Sequence, residues 1–382
     1  MKNISAKRLV LLGLFVTLWI AVLVTATPFD WRSTVRKHPF ISTETFKFAT
    51  PGFVPAEFDD QFKQASSALK VATEAGYALR LAFNLIPTWL LHVQASDKDQ
   101  LVVREEVSDE FASQRQKELI EKIAQRIAER AQSFQAKSQT KIALMFVPTK
   151  IAANQLVVAS SEARATDAYR FELKSESPRV GSLANQAVLE ESLQSKGLKL
   201  ISVVANYRHL QQTETLLYPA GESHWDGIVL KEIGPTVIRD LVSRTLVPAK
   251  CGLASGPKLQ PLEGTRPYFG DLFEALGWRP NFPAARRFES QIKIFDKASV
   301  QSRRDKSCPT LVIAGTSYGA SALSGIQLAD ALQNHYLGNV IDKSVPGREP
   351  DSSLEEIERA GLPPNTVVLW EFPFRYAKKY LP

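Results

Sequence analysis

Residues that carry chemistry are scarce in this chain. Two cysteines, two methionines and five histidines occur among 382 residues. There is no G-x-x-x-x-G-K-[ST], no G-x-G-x-x-G and no H-E-x-x-H, which removes the nucleotide, dinucleotide and zinc-protease readings. Neither cysteine has a histidine or a second cysteine at ligand spacing, so no metal is implied, nor any other cofactor. Concentrated charge is lacking too. The net charge is +7, three of it from Lys2, Lys7 and Arg8, and no basic stripe interleaved with aromatics exists, so nucleic acid is not an expected partner. Repeats and low-complexity tracts are absent, and 44% hydrophobic with 23% charged residues describes a globular chain with a large core.

One long apolar run is present. "LVLLGLFVTLWIAVLVTA", residues 9–26, carries no charge and at about 1.5 Å per residue nearly spans a bilayer core. Trp19, or Phe29 and Trp31 beyond the run, suit a membrane interface. Basic residues before it predict a cytoplasmic N-terminus and an exported body, with residues 1–27 as an inner-membrane anchor. A cleaved signal ending at Val24 and Ala26 is the competing reading; the length of the run and the nearby Pro28 favour the anchor. The body is then periplasmic, and Cys251 and Cys308 are expected to form one disulfide, contributing about 4 kcal/mol by the chain-entropy argument.

Residues 28–60 read as an irregular stalk and 62–91 as mostly helical. A clearer helix spans 105–136, with Ile120, Ile123, Ile127, Ala131 and Phe134 forming one apolar stripe on a charged surface. The period then changes. Residues 141–150, 198–207, 310–315 and 365–372 are short apolar runs of the buried parallel-strand kind, with helical segments at 229–246 and 320–334. Strands alternating with helices predict an α/β fold, a parallel sheet covered on both faces. Residues 175–197 read as a polar surface excursion. Residues 251–308, rich in proline and glycine, read as an insertion held by the disulfide. The expected organisation is the membrane segment, a stalk and helical region over 28–137 packing on the core, and a catalytic core over 138–382.

"GTSYG", residues 315–319, fits the G-x-S-x-G nucleophile elbow, where small residues permit a sharp strand-to-helix turn that lifts the Ser317 hydroxyl. Free N–H groups at the start of the next helix suit an oxyanion. The alternative is a small residue filling a tight turn. An α/β-hydrolase fails on geometry: only 65 residues follow Ser317, and their one histidine, His335, is expected at the far end of the helix that starts at the serine, about 25 Å away. His38, His92 and His209 read as surface or locally satisfied residues. His224 differs, because Glu222 stands two residues before it in "GESHWDG", and in an extended segment the two share a face. Asp226 reads as the N-cap of the helix that follows; for the Glu222/His224 pair, a solvated loop charge beside a histidine stays open as the alternative.

"ESHW" before a helix, then an apolar strand into "GTSYG", then "VVLWEFPFRYAKKYL", resembles the periplasmic alginate O-acetyltransferase group of SGNH-hydrolase-like proteins. That family's pattern is D-x-H-W followed by G-[DT]-S-[FY] roughly a hundred residues later; here His224 and Ser317 are 93 apart. A strand running into "P-x-K" is matched by Pro148 and Lys150, and a tryptophan–glutamate strand by Trp370 and Glu371. The resemblance covers residues from about 100 onward. It departs from the pattern at Glu222, where the family has aspartate.

The resemblance implies an SGNH-like three-layer sandwich and acetyl transfer through an acyl-serine. Ser317 would be the nucleophile, His224 the base and Glu222 its orienting acid. The backbone around Ser317 and Tyr318 would supply oxyanion donors, and Arg375 would hold substrate or pair with Glu371. It further implies an exopolysaccharide substrate such as alginate or cellulose and a membrane-bound O-acyltransferase as acetyl supplier. Two alternatives share these residues: a periplasmic serine carbohydrate esterase, and a catalytically silent scaffold of a polysaccharide assembly complex.

Overall fold

The computed structural model describes residues 90–93, 99–103, 106, 117–158, 179–180, 183–213, 216–252, 259–275, 283–297 and 304–380. All belong to one compact unit, 86–382. The expected anchor at 9–26 and stalk at 28–60 lie outside the described residues. Among those described, no helix is long and apolar enough to cross a membrane.

In chain order the elements are β1 (Leu90–Val93), β2 (Gln100–Val103), α1 (Lys117–Ser138), β3 (Lys141–Val147), α2 (Lys150–Ala153), β4 (Val157–Val158), β5 (Arg179–Val180), α3 (Ala184–Ser195), β6 (Leu200–Ile201), α4 (Val204–Thr213) and α5 (Gly227–Ser243). Then come β7 (Arg266–Tyr268), α6 (Asp271–Ala275), β8 (Ser290–Ile292), β9 (Thr310–Ala314), α7 (Ser317–Ala320), α8 (Leu328–Gln333), β10 (Val340–Asp342), α9 (Pro350–Ala360) and β11 (Thr366–Pro373). Five strands form the central sheet in the order β10-β9-β11-β3-β6, and every pairing in it is parallel.

Side-chain alternation divides the core in two. From β3, β9 and β11, residues Met145, Ile313 and Leu369 face one side, where Tyr207 of α4, Ile233 and Val237 of α5 and Leu332 of α8 cover them. Leu144, Val312 and Trp370 face the other, under Ile127 and Phe134 of α1, Leu193 of α3 and Leu354 of α9. This is the expected three-layer α/β arrangement. All eight residues of the central strand β11 are buried, which is why "TVVLWEFP" carries no polar alternation.

Several expectations over these residues need correction. The run 198–207 is strand only at Leu200–Ile201; its β-branched Val203 and Val204 already lead into α4. Residues 184–195, expected as polar surface, form α3, seated by Leu189 and Leu193. Its buried Glu190 accepts from Gln186 Nε2 at 2.8 Å and from the Ser202 hydroxyl at 2.6 Å. The helix expected over 320–334 is broken into α7 and α8, with Gly325 at φ +83° between them. His335 therefore does not end a helix that begins at Ser317, and the length estimate built on that helix does not hold. Leu90 and Leu91, expected at the end of a helix, belong to β1. Cys251 and Cys308 are joined as a disulfide.

Candidate active site

Register explains where the serine stands. β9 ends at Ala314, paired with Trp370 of β11, so β11 runs on while the chain after β9 turns away. Glu371, the next residue of β11, fills the space beneath that turn. Its Oε2 accepts from the Thr316 N–H at 2.7 Å and the Gly319 N–H at 3.3 Å, and the Thr316 hydroxyl donates to it at 3.3 Å. A Cβ on Gly315 would lie 2.3 Å from Glu371 Oε2, and one on Gly319 would lie 2.5 Å from Ser344 Oγ. Both glycines of "GTSYG" are thus required by what sits under them. Burial pushes the Glu371 carboxyl up to about 7, against the pull of the Thr316 and Gly319 N–H groups.

Ser317 opens α7, partly exposed, between buried Thr316 and Tyr318. Its hydroxyl has no hydrogen-bond partner among the described residues. Thr316 is the N-cap, accepting from the Tyr318 N–H at 3.3 Å.

The Glu222/His224 segment is pinned from several directions. Lys150, wholly buried at the start of α2, donates from Nζ to the carbonyls of Pro219 and Ala220 at 2.7 Å each and of Glu222 at 2.9 Å. Three acceptors require three N–H donors, which the ammonium form alone provides. Burial pulls Lys150 down to about 7, while Glu106, Glu222 and Asp271 hold its charge. Asn154 grips the Leu217 and Tyr218 amides, at 2.9 and 3.0 Å. Within the segment, Glu222 Oε1 lies 2.5 Å from His224 Nδ1. Glu222 is acceptor-only when ionised, so Nδ1 carries the proton and, in neutral imidazole, Nε2 carries the lone pair. That Nε2 is buried and has no partner among the described residues.

Glu222 also accepts from the Ser223 N–H at 3.0 Å and the His224 N–H at 3.1 Å at Oε1, and from the Tyr268 hydroxyl at 2.5 Å and the Asp271 N–H at 3.1 Å at Oε2. Burial works to raise this carboxyl; the hydrogen bonds from His224, Asp271 and Tyr268 and the His224 charge outweigh it and hold it well below its ordinary value. Glu222, His224 and Asp271 offer ligand atoms within 4.8 Å of one another. A cation there would have to compete with the three donors on Glu222 Oε1 or the two on Oε2, so the trio is better read as a hydrogen-bonded network.

The two segments meet through aromatic side chains. The His224 and Tyr318 rings stand edge to face at 5.1 Å, and Trp225 Nε1 donates to the Tyr318 carbonyl at 3.1 Å. Asp226 caps α5, as expected, and its Oδ1 also accepts from the Ser324 hydroxyl at 2.7 Å. Arg375 corrects its expected pairing: it lies 3.6 Å from Glu106, not against Glu371, and its guanidinium covers the Tyr318 ring at 5.2 Å. Tyr318 itself is buried among Tyr218, His224, Trp225 and Arg375, so its ring is part of the floor. The structure therefore brings Glu222 and His224 into direct contact and seats His224 on the neighbour of Ser317. It forms no hydrogen bond between His224 and Ser317. The roles of Tyr268, Asp271 and Glu106 have no signature in the sequence; the only local hint is the glycine of "YFGDLF" before Asp271.

A cavity of about 1000 Å³ opens elsewhere, at the N-terminal ends of β3 and β11 beside Lys141 and Thr366. Ligands of open α/β sheets sit at the opposite, carboxyl ends of the strands, and none of the residues above lines it.

No family model matches the chain, and no curated protein matches it in sequence. Among solved structures it is similar to the O-acetyltransferase domain of Pseudomonas putida AlgJ, with a TM-score of 0.51 and 17% identity over 76% of this chain and 92% of that one. Pseudomonas aeruginosa AlgX also matches, with a TM-score of 0.44 and 16% identity over 76% of this chain and 67% of that one. At such identities the likeness to the AlgJ domain is one of fold.

Proposed function

We propose that this protein is a serine-dependent O-acetyltransferase that moves an acetyl group through an acyl-Ser317 intermediate onto hydroxyls of an exopolysaccharide in the periplasm. The observation that carries the reading is the state of His224. Nδ1–H is committed to Glu222 while Nε2 is buried without a partner beside the Ser317 turn. A general base needs that arrangement: one nitrogen fixed, the other bearing a free lone pair. The fold likeness to the AlgJ O-acetyltransferase domain is consistent with it.

On this reading His224 Nε2 takes the Ser317 proton as Oγ attacks the acetyl carbonyl carbon. The resulting oxyanion is met by the Ser317 and Tyr318 N–H groups. Of these the Ser317 N–H has no acceptor among the described residues, and Tyr318 exchanges its 3.3 Å contact to Thr316. The bond to the leaving oxygen breaks, and that oxygen takes the proton from Nε2. A sugar hydroxyl then gives its proton to Nε2 and attacks acetyl-Ser317; Ser317 leaves and recovers the proton. Glu222 stays ionised throughout and holds the imidazole tautomer. The acetyl supplier would be a membrane-bound O-acyltransferase, and residues 9–26 would keep the protein beside it at the inner membrane.

The test is acetyl transfer from p-nitrophenyl acetate to alginate, cellulose or other oligosaccharides, with intact-mass detection of a Ser317 adduct. Ser317→Ala should abolish the adduct and lower kcat by about a thousandfold or more. Release of acetate alone, with every acceptor sugar left unmodified, would identify an esterase instead. Unchanged polymer acetylation with Ser317→Ala in the producing cell would leave only the scaffold.

A further inference from the structure

The segment expected as an insertion reaches directly into the Glu222/His224 site. Phe269, Gly270 and Asp271 lie against Gly221, Glu222 and Ser223 backbone to backbone. A Cβ on Gly221 would stand 1.9 Å from the Phe269 carbonyl oxygen, and one on Gly270, at φ +93°, would stand 2.4 Å from the Gly221 oxygen. The amides of Leu272 and Phe273 both donate to that Gly221 oxygen, at 2.9 and 3.1 Å. Two glycines facing each other at this distance make a built junction, with no side chain tolerated on either strand of it.

From this junction two side chains project onto the pair. The Tyr268 hydroxyl donates to Glu222 Oε2 at 2.5 Å. The Asp271 carboxylate takes the Ser223 N–H on Oδ1 at 2.7 Å and the Ser223 hydroxyl on Oδ2 at 2.6 Å, and Oδ2 stands 3.7 Å from His224 Nδ1. The two oxygens of Glu222 divide the work: Oε1 serves the imidazole while Oε2 is held by Tyr268 and the Asp271 amide.

We infer that Tyr268 and Asp271 are positioning residues of the Glu222–His224 pair, acting with opposite electrostatic sign on the imidazole. Tyr268 spends part of the Glu222 charge in a hydrogen bond and so weakens its hold on the imidazolium. Asp271, when ionised, adds a second negative charge beside Nδ1 and strengthens it; burial and the Glu222 charge push its own carboxyl up, and the His224 charge and the Ser223 hydroxyl pull it back down. The other charged or titratable groups around this centre are Lys150 beneath the loop, Tyr318 against the ring, and Arg375 and Glu106 behind Tyr318. None of these changes in the variants below.

The experiment is an NMR titration of the histidine ring resonances in the full chain, with His224 assigned by loss of its signal in His224→Gln. Wild type, Tyr268→Phe and Asp271→Asn are compared. Tyr268→Phe should raise the His224 titration midpoint and Asp271→Asn should lower it. In p-nitrophenyl acetate turnover each should lower kcat roughly 10- to 100-fold through a misplaced imidazole, with KM retained. No change in either midpoint, or shifts of the same sign in both, would overturn the inference, since simple loosening of the loop moves both variants alike. Should Asp271→Asn fail to fold, the rise in Tyr268→Phe decides alone. The kinetic arm rests on the proposed acyl transfer and the titration does not. Opposite shifts in a protein without acetyl-ester activity would therefore sink the function and leave the positioning role standing.

Discussion

Glu371 offers the sharpest quantitative test of how the Ser317 turn is built. It is a carboxyl with no exposed surface, and among the described residues no cation pairs with it; its partners there are the Thr316 and Gly319 amides and the Thr316 hydroxyl. Burial raises it from 4.5 to about 7, with the nearby Asp342 charge adding a smaller push in the same direction. A group whose folded-state pKa is raised binds more protons folded than unfolded. Its stabilisation is complete below pH 4.5 and is lost as pH climbs through 7. At about 1.4 kcal/mol per unit the full swing is about 3 kcal/mol. Glu371→Gln keeps the shape and an acceptor oxygen but cannot ionise. Urea denaturation of both proteins at intervals from pH 4.5 to 8, read as the difference in unfolding free energy, isolates this group from every other titration. The variant should gain on wild type steadily through this window, by up to about 3 kcal/mol at pH 8. A difference that stays flat with pH would refute the reasoning, because it would mean the carboxyl ionises as readily folded as unfolded.

Lys150→Met leaves the carbonyls of Pro219, Ala220 and Glu222 without their buried donor and removes a cation beside Glu106, so it should cost about 3–5 kcal/mol in urea denaturation. A loss below about 1 kcal/mol would show that the carbonyls find other donors. Replacing Cys251 and Cys308 together by serine opens a bridge between positions 57 apart and should cost about 4 kcal/mol, seen as a lower Tm that reducing agent reproduces in wild type. Equal Tm values with and without reductant would count against the bridge as a stabilising element.

The strands that could be read from sequence are those buried on both faces. "KIALMFV" and "TVVLWEFP" read as near-continuous apolar runs because helices cover both sides of the sheet there, Glu371 being the one buried charge, placed under the Ser317 turn. What failed was local reading where tertiary contacts decide. Val203 and Val204 look like strand, yet the chain turns into α4 after Ile201 so that Tyr207 and Leu210 can cover the sheet. α3 looks polar because two leucines suffice to seat it once the buried Glu190 carboxylate is held by Gln186 and Ser202. β10 spans three half-buried residues at the edge of the sheet, too short for any periodicity. In the candidate site, the Glu222/His224 pair was legible because i and i+2 share a face of extended chain. Tyr268 and Asp271, 46 and 49 positions from Glu222, were not, since nothing local marks a hydroxyl or amide that bonds a carboxylate so far along the chain. Lys150 was visible as a residue after a strand, but its three carbonyl partners belong to a loop about 70 residues away.

A parallel sheet delivers loops to one edge without setting their mutual register, so the spacing between the His224 loop and the Ser317 turn needs a separate cause. Here two neighbouring residues after His224 provide it. Trp225 reaches the Tyr318 carbonyl through Nε1, and Asp226 takes the Ser324 hydroxyl, whose oxygen in turn accepts the Gly227 amide at 3.0 Å. A Cβ on Gly227 would lie 2.5 Å from Ser324 Cβ, so the second contact also excludes a side chain at position 227, the first residue of α5. These bonds join residues 93 to 98 positions apart, each just downstream of one of the catalytic candidates. The tryptophan of "ESHW" and the aspartate after it therefore act as the clamp between the histidine loop and the serine turn. Asp226, whose capping role alone would explain its place, carries the second half of that clamp. The distance from His224 to Ser317 along the chain then matters little, provided Trp225 and Asp226 stay next to the histidine and Tyr318 and Ser324 stay downstream of the serine.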